Sequence, residues 1–157
     1  MIISIDTREQ EPLNITAAVD ITEVRHEKLP FGDYGCRLAN DEPLCPVFFE
    51  RKAKGDLWGT LTSGIDRFKR ELERVRESKA TLYLAIEGSM TDIYAGYSHS
   101  QVFGSQIIRT IFTLKVKYGL EPVFCPDRAQ MKYYIIETFE ALRRNWEKHG
   151  AKEAGRV

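Results

Sequence analysis

Val47-Phe48-Phe49-Glu50-Arg51-Lys52 passes from three apolar residues directly into three charged ones. On an extended strand successive side chains point to opposite faces, so Phe48, Glu50 and Lys52 share one face and Val47, Phe49 and Arg51 the other. Glu50 and Lys52 then stand about 7 Å apart along the strand. The apolar lead-in makes this a buried strand, where charges need a reason. Upstream, Asn40-Asp41-Glu42-Pro43 reads as a turn and Tyr34–Leu38 as the partner strand of a β-hairpin. Pro30-Phe31-Gly32-Asp33 is turn chemistry leading into that strand. The hairpin brings Asp33 near Glu50, so two carboxylates and one ammonium converge.

The flanking sequence alternates strands and helices. Ile2-Ile3-Ser4-Ile5 is a β-rich run ending in charge, a weak helix is predicted over Asn14–Val19, and Ile21–Leu29 alternates as a half-exposed strand. Gly55 and Asp56 open a helix with Leu57, Trp58 and Leu61 on its apolar face, and Gly64 interrupts it. Asp66 starts a second helix carrying Phe68, Leu72 and Val75 at i, i+4, i+7. Thr81–Glu87 is an apolar strand. Ser98 and Gln101 have capping-box spacing ahead of a helix with Ile107, Ile111 and Leu114, stopped by Gly119. Glu121–Phe124 is a short strand. Asp127 and Gln130 have N-cap and N3 spacing before a last helix with Met131, Ile135, Phe139, Leu142 and Trp146 on one stripe. The expected fold is a single α/β domain over residues 1–150, a mixed β-sheet flanked by α-helices, with 151–157 as a flexible tail.

Bulk composition bounds the function without naming it. The 157 residues carry 23 basic and 23 acidic side chains, so a generic polybasic coat for nucleic acid is excluded. The charge is nevertheless uneven: net −5 over residues 1–49, +3 over 50–79 and +2 over 80–157. An acidic first third beside a basic segment fits a metal site next to a phosphate-binding surface, although a fluctuation produces the same counts. Cys36, Cys45 and Cys125 have no zinc-ligand spacing and read as reduced, mostly buried thiols of a cytoplasmic protein. No apolar run approaches the roughly 20 residues of a membrane span, and no signal peptide is recognised.

Asp33, Glu50 and Lys52 are the residue types that phosphodiester hydrolysis needs when no histidine is at hand. Two carboxylates hold a hard divalent cation such as Mg²⁺, which polarises phosphate and activates water. The lysine orients that water or stabilises charge developing on phosphorus. E-x-K alone is weak, since it arises by chance in roughly half of chains this long. A second copy, Glu77-Ser78-Lys79, sits at a helix end with no strand before it. Context separates the two.

Three blocks, Asp6-Thr7-Arg8-Glu9, Leu29-Pro30-Phe31-Gly32-Asp33-Tyr34 and Glu50-Arg51-Lys52-Ala53-Lys54-Gly55-Asp56, resemble in order and spacing the signatures of the XPF-type structure-specific endonuclease domain. That family belongs to the restriction-endonuclease-like PD-(D/E)xK nucleases and includes the archaeal Hef nuclease. The resemblance continues through Asp66-Arg67-Phe68 and Ile86-Glu87-Gly88. It implies Asp33 and Glu50 as metal ligands, Lys52 as the catalytic lysine and Arg51 in the same motif, with Asp6 and Asp56 supporting the metal. It puts Arg8 on phosphate and Glu9 at the site edge. Mg²⁺ is the implied cofactor, with Mn²⁺ as a substitute, and branched or flap-like DNA the implied substrate in repair, recombination or replication. Where the family often has Gln, this chain has Glu71, which leaves any polar role there open. The family's tandem helix–hairpin–helix DNA-binding domain has no room after the nuclease. DNA selectivity then falls to this domain, to a homodimer through the C-terminal helix, or to a separate DNA-binding partner. Such compact stand-alone forms are expected in a bacterium or a bacteriophage.

Other readings remain alongside. Arg67, Arg70 and Arg74 share a helix face at i, i+3, i+7, which suits DNA phosphate contact, or a solvated face with Arg67–Glu71 and Lys69–Glu73 pairs. Asp56 suits a helix N-cap as well as the site. Trp58 and Tyr34 suit base stacking or the core. A non-catalytic scaffold subunit, and a Holliday-junction resolvase or recombination exonuclease on the same core, are the alternatives.

Overall fold

The computed structural model describes residues 1–44 and 46–150, so Cys45 and the tail expected at 151–157 lie outside the described residues. Eleven elements follow in chain order: β1 Ile2–Asp6, β2 Glu23–Glu27, β3 Tyr34–Arg37, β4 Val47–Lys52, α1 Lys54–Leu61, α2 Ile65–Glu77, β5 Thr81–Glu87, α3 Met90–Tyr94, α4 Gly104–Tyr118, β6 Glu121–Cys125 and α5 Arg128–His149. The sheet order is β2-β1-β3-β4-β5-β6. β1 pairs antiparallel with β3, and β3 with β4, while the β1–β2, β4–β5 and β5–β6 pairs are parallel. This is the expected mixed sheet, and β3–β4 is the expected hairpin, with Tyr34 opposite Phe49.

The two faces of the sheet carry separate cores. Val47 and Phe49 of β4 join Ile3, Ile5, Tyr34 and the α5 stripe of Met131, Ile135 and Phe139. Phe49 stacks on Tyr83 at 4.7 Å and meets Phe139 edge-on at 5.4 Å. On the other face Leu82, Leu84 and Ile86 of β5 pack under α1, α2 and α4 through Leu57, Trp58, Phe68, Leu72, Ile107 and Ile111. Period-2 alternation along β4 therefore sends Glu50 and Lys52 toward α1 and α2, and Arg51 toward α5. Trp58 and Tyr34 are both core residues. Cys36 and Cys125 are buried. Among the described residues no helix is long and apolar enough to cross a membrane.

Two local expectations are corrected, and one helix is added. Residues 14–19 form no helix: after Pro12 the chain is irregular, with the Ile15 N–H donating to the Leu13 carbonyl at 2.8 Å, and it buries Leu13 and Ile15 while exposing Asn14 and Thr16. Ser98 and Gln101 cap no helix. α4 begins at Gly104, with the Gln106 side chain accepting from the Phe103 N–H. The start is set by contact, since a Cβ on Gly104 would lie 2.1 Å from the Ile93 carbonyl oxygen. The short α3, unforeseen in the sequence, carries its own capping box between Ser89 and Asp92. The Asp127 cap, by contrast, accepts from the Gln130 N–H at 2.7 Å as its spacing predicts.

Candidate active site

Asp33 reaches its place through main-chain bonds. Its N–H donates to the Phe49 carbonyl at 2.6 Å, and its own carbonyl accepts from the Asp6 N–H at 2.8 Å. Its carboxylate accepts from the Arg51 N–H at 2.7 Å. The carboxyl thus lies against β4 where Glu50 and Lys52 emerge. Lys52 Nζ contacts Glu50 Oε1 at 2.7 Å, with the side chains 19% and 14% exposed. Burial and the neighbouring Glu50 carboxylate push the Asp33 pKa well above the carboxylate range, outweighing the Arg51 N–H. Burial works against the Lys52 charge, but Glu50, Asp33 and Asp56 hold its pKa above the ordinary lysine value.

Glu50 and Lys52 open into a cleft of about 270 Å³ between β4, α1 and α2, lined also by Thr60, Gly64, Arg67 and Glu71; Asp33 faces Glu50 and Lys52 and does not itself line it. Arg67 is therefore at the cleft. Arg70 and Arg74 are exposed on α2 and do not line it, although Arg74 faces Glu71 electrostatically. Glu71 is the residue whose role the sequence left open. It enters the cleft beside Glu50, and burial and that like charge raise its pKa. Its signal was positional: one helical turn beyond Arg67 it shares the face that α2 turns to β4.

Asp6 is fully occupied elsewhere. Its carboxylate accepts from the Arg8 N–H, Arg8 Nε, Arg8 Nη2 and the Leu29 N–H at 2.7–3.0 Å. Burial opposes its charge, yet these donors lower its pKa to about 2. It braces the turn that carries Asp33 and is not brought into the cleft. Arg8, mostly exposed, projects at the cleft rim, where its charge acts on Glu71 and Glu50. Asp56 lies in the first turn of α1, whose N-cap is Ala53, so it is exposed and uncommitted to capping.

Arg51 works on the opposite face. It donates to Glu9 through Nε and Nη2, both at 2.8 Å, and to Glu87 through Nη1 at 2.8 Å. Arg128 adds a 2.6 Å bond to the same Glu87 oxygen and binds the Glu11 and Pro12 carbonyls. Arg51 and Glu9 are nearly inaccessible. The network ties the segment after β1 to β4, β5 and α5, behind the cleft.

The ERCC4 domain family matches residues 5–137 of this chain. The chain belongs to the ERCC4 domain family. The fold agrees: XPF from Aeropyrum pernix aligns with this ERCC4 domain at a TM-score of 0.61 and 20% identity, covering 92% of this chain and 69% of that chain. XPF from Aeropyrum pernix in complex with DNA aligns at 0.56 and 18% identity, covering 98% and 84%. No curated protein matches the chain.

The donor chemistry of this ERCC4 domain fits a hard divalent cation. Among the described residues no three His, Cys, Asp or Glu side chains are assembled into a metal cage. Mg²⁺ rarely uses one: it is held by one or two carboxylates, keeps waters and takes substrate phosphate oxygens. Asp33 and Glu50 supply two carboxylates whose mutual repulsion a cation relieves.

Proposed function

We propose that this ERCC4 domain is a metal-dependent DNA endonuclease acting on branched or flap-like DNA in repair, recombination or replication. The observation that carries the proposal is the meeting of the Asp33 carboxyl with Glu50 and Lys52, the two of them lining one polar cleft. Asp33 and Glu50 are the residues that would hold Mg²⁺, or Mn²⁺ in its place, with Asp56 nearby. When bound, the cation supplies polarisation of the phosphate and a lowered pKa for water.

The chain's own groups perform the rest. Lys52, kept charged by its carboxylate neighbours, donates to the attacking water or to the phosphoryl oxygens as negative charge grows there. Arg67 on the cleft wall and Arg8 at its rim offer donors to flanking phosphates. Arg70 and Arg74 extend the same basic surface along α2. Water oxygen bonds to phosphorus in line, the bond to the 3′ oxygen breaks, and that oxygen takes up a proton, leaving a 5′-phosphate and a 3′-hydroxyl. Glu9 and Arg51 keep β4 in position from behind and touch no substrate.

Homodimerisation belongs to the same proposal. β6 is an edge of the sheet. Exposed Phe112 and Val116 of α4 flank it on one face, and Tyr133 and Tyr134 of α5 on the other. An apolar flank around an open edge suits a second copy. An intact Glu50-Arg51-Lys52 argues against the scaffold alternative.

The test is cleavage of end-labelled flap, fork, four-way-junction, duplex and single-stranded DNA in Mg²⁺, Mn²⁺ or EDTA, beside Glu50→Ala. Metal-dependent cutting that Glu50→Ala abolishes is expected. Binding without cutting in any metal would sink the enzyme reading in favour of a scaffold.

A further inference from the structure

The connection between α3 and α4 exposes two large rings. Tyr94 is 66% exposed and Phe103 73%. They are neighbours in space, because the backbone at Gly104 lies against the Tyr94 carbonyl, whose oxygen would be 2.5 Å from a Cβ there. A cavity of about 560 Å³ opens here, lined among others by Tyr94, Gly96, Tyr97, Ser100, Phe103 and Ser105.

The connection is held firmly. Trp58 Nε1 donates to the Val102 carbonyl at 3.0 Å, Tyr97 packs on the Trp58 ring at 5.7 Å, and Lys54 Nζ donates to the Asp92 carbonyl at 2.9 Å. Exposed rings on a braced segment form a preorganised surface, which loses little entropy when it binds.

Its position is adjacent to the chemistry. Lys54 follows Lys52 by two residues, a reach of at most about 7 Å. Gly55 and Gly59 occupy one face of α1 at i, i+4. Gly59 lines the catalytic cleft, while Tyr97 Oη lies over Gly55. Tyr97 of the cavity therefore packs on the same face of α1 that lines the cleft one helical turn further on.

Charge supports a polyanion there. No acidic residue occurs between Asp92 and Glu121, and exposed Arg109 stands in the second turn of α4 while Lys54 reaches the end of α3. The Asp92 carboxylate is itself taken up by the N–H and hydroxyl of Ser89.

From these observations, and resting on the nuclease reading above, we propose that Tyr94 and Phe103 form a stacking surface for unpaired nucleobases beside the cleaved phosphodiester. Aromatic rings stack on any base whose face is free, whereas paired duplex hides those faces. The surface thus selects DNA with a single-stranded segment next to the cut, independent of sequence.

The experiment measures fluorescence anisotropy in EDTA, where no cutting occurs. Three DNAs are compared: a blunt duplex, the same duplex with a single-stranded overhang, and that overhang built of abasic sites. The wild type is expected to prefer the natural overhang over the abasic one. The double variant Tyr94→Ala with Phe103→Ala is expected to bind the natural overhang about tenfold more weakly, the scale of one lost stack. Blunt duplex binding should stay within about twofold. Tyr94→Phe with Phe103→Tyr keeps both rings and should keep the preference. Equal binding of natural and abasic overhangs, or an equal loss on all three DNAs, would overturn the inference. So would a double variant that turns a dimer into a monomer in sedimentation with overhang binding unchanged, which makes the patch a contact between copies. The nuclease reading is judged separately by Glu50→Ala, which should abolish cutting and leave the overhang preference intact.

Discussion

The Arg51 N–H donates to the Asp33 carboxylate at 2.7 Å, so the strand that presents Glu50 and Lys52 is hydrogen-bonded directly to the acid they face. The Arg51 side chain meanwhile anchors that strand from the other face of the sheet. One residue thus links the cleft to the buried network behind it.

Removing the Lys52 ammonium should slow chemistry while leaving DNA binding largely intact. Lys52→Ala is expected to lower the single-turnover cleavage rate by about 10²–10³-fold, the scale of losing one preorganised charge-stabilising donor. Anisotropy in EDTA should change less than about threefold. A parallel loss of binding would reassign Lys52 to substrate docking.

A divalent cation should stabilise the fold through Asp33 and Glu50. Millimolar Mg²⁺ or Mn²⁺ is expected to raise Tm for the wild type, because binding to the folded state alone adds stability by mass action. Glu50→Gln and Asp33→Asn should abolish the increment. Thermal scans with and without EDTA read it out, and an undiminished shift in both variants would move the cation elsewhere.

Breaking the network behind the cleft should cost stability. Arg51→Ala leaves the buried Glu9 carboxylate without its bidentate partner, a loss of about 3–5 kcal/mol in urea unfolding. Arg51→Lys should recover only part of this, since an ammonium cannot reproduce the two-pronged bond to Glu9. Complete rescue by lysine would mean that charge alone matters there.

Asp6 should make stability depend on acid. Its pKa falls from 3.8 to about 2 on folding, so its contribution is full above the unfolded value and disappears as pH falls through about 2. That contribution is about 2 kcal/mol. Asp6→Asn should therefore destabilise the protein at pH 7 and have little effect near pH 2. Urea midpoints at several pH values test it, and a pH-independent deficit would point to lost packing.

Part of the candidate site was legible because it is local. The turn chemistry before Tyr34 and the alternation along Val47–Lys52 are short-range patterns, and they led to the Asp33–Glu50–Lys52 cluster directly. Glu71 was less legible. Its helix was evident, but whether it pairs with Arg67 on the surface or enters the cleft depends on how α2 packs against β4. The S-x-x-Q spacing at Ser98 misled for a related reason. Capping patterns are common, and the start of α4 is chosen by the approach of Gly104 to the end of α3.

The sequence by itself determined the mixed α/β architecture, the hairpin, and the division of β4 into one face with Glu50 and Lys52 and another with Arg51. Backbone periodicity acts over a few residues, and burial follows it. Only the tertiary structure decided that Arg51 meets Glu9 across 42 positions and Glu87 across 36, that Asp6 braces the turn bearing Asp33, and that Tyr94 and Phe103 come to line one cavity. Those relationships join segments far apart in the chain, and close packing of the whole domain selects among partners that each segment alone leaves open.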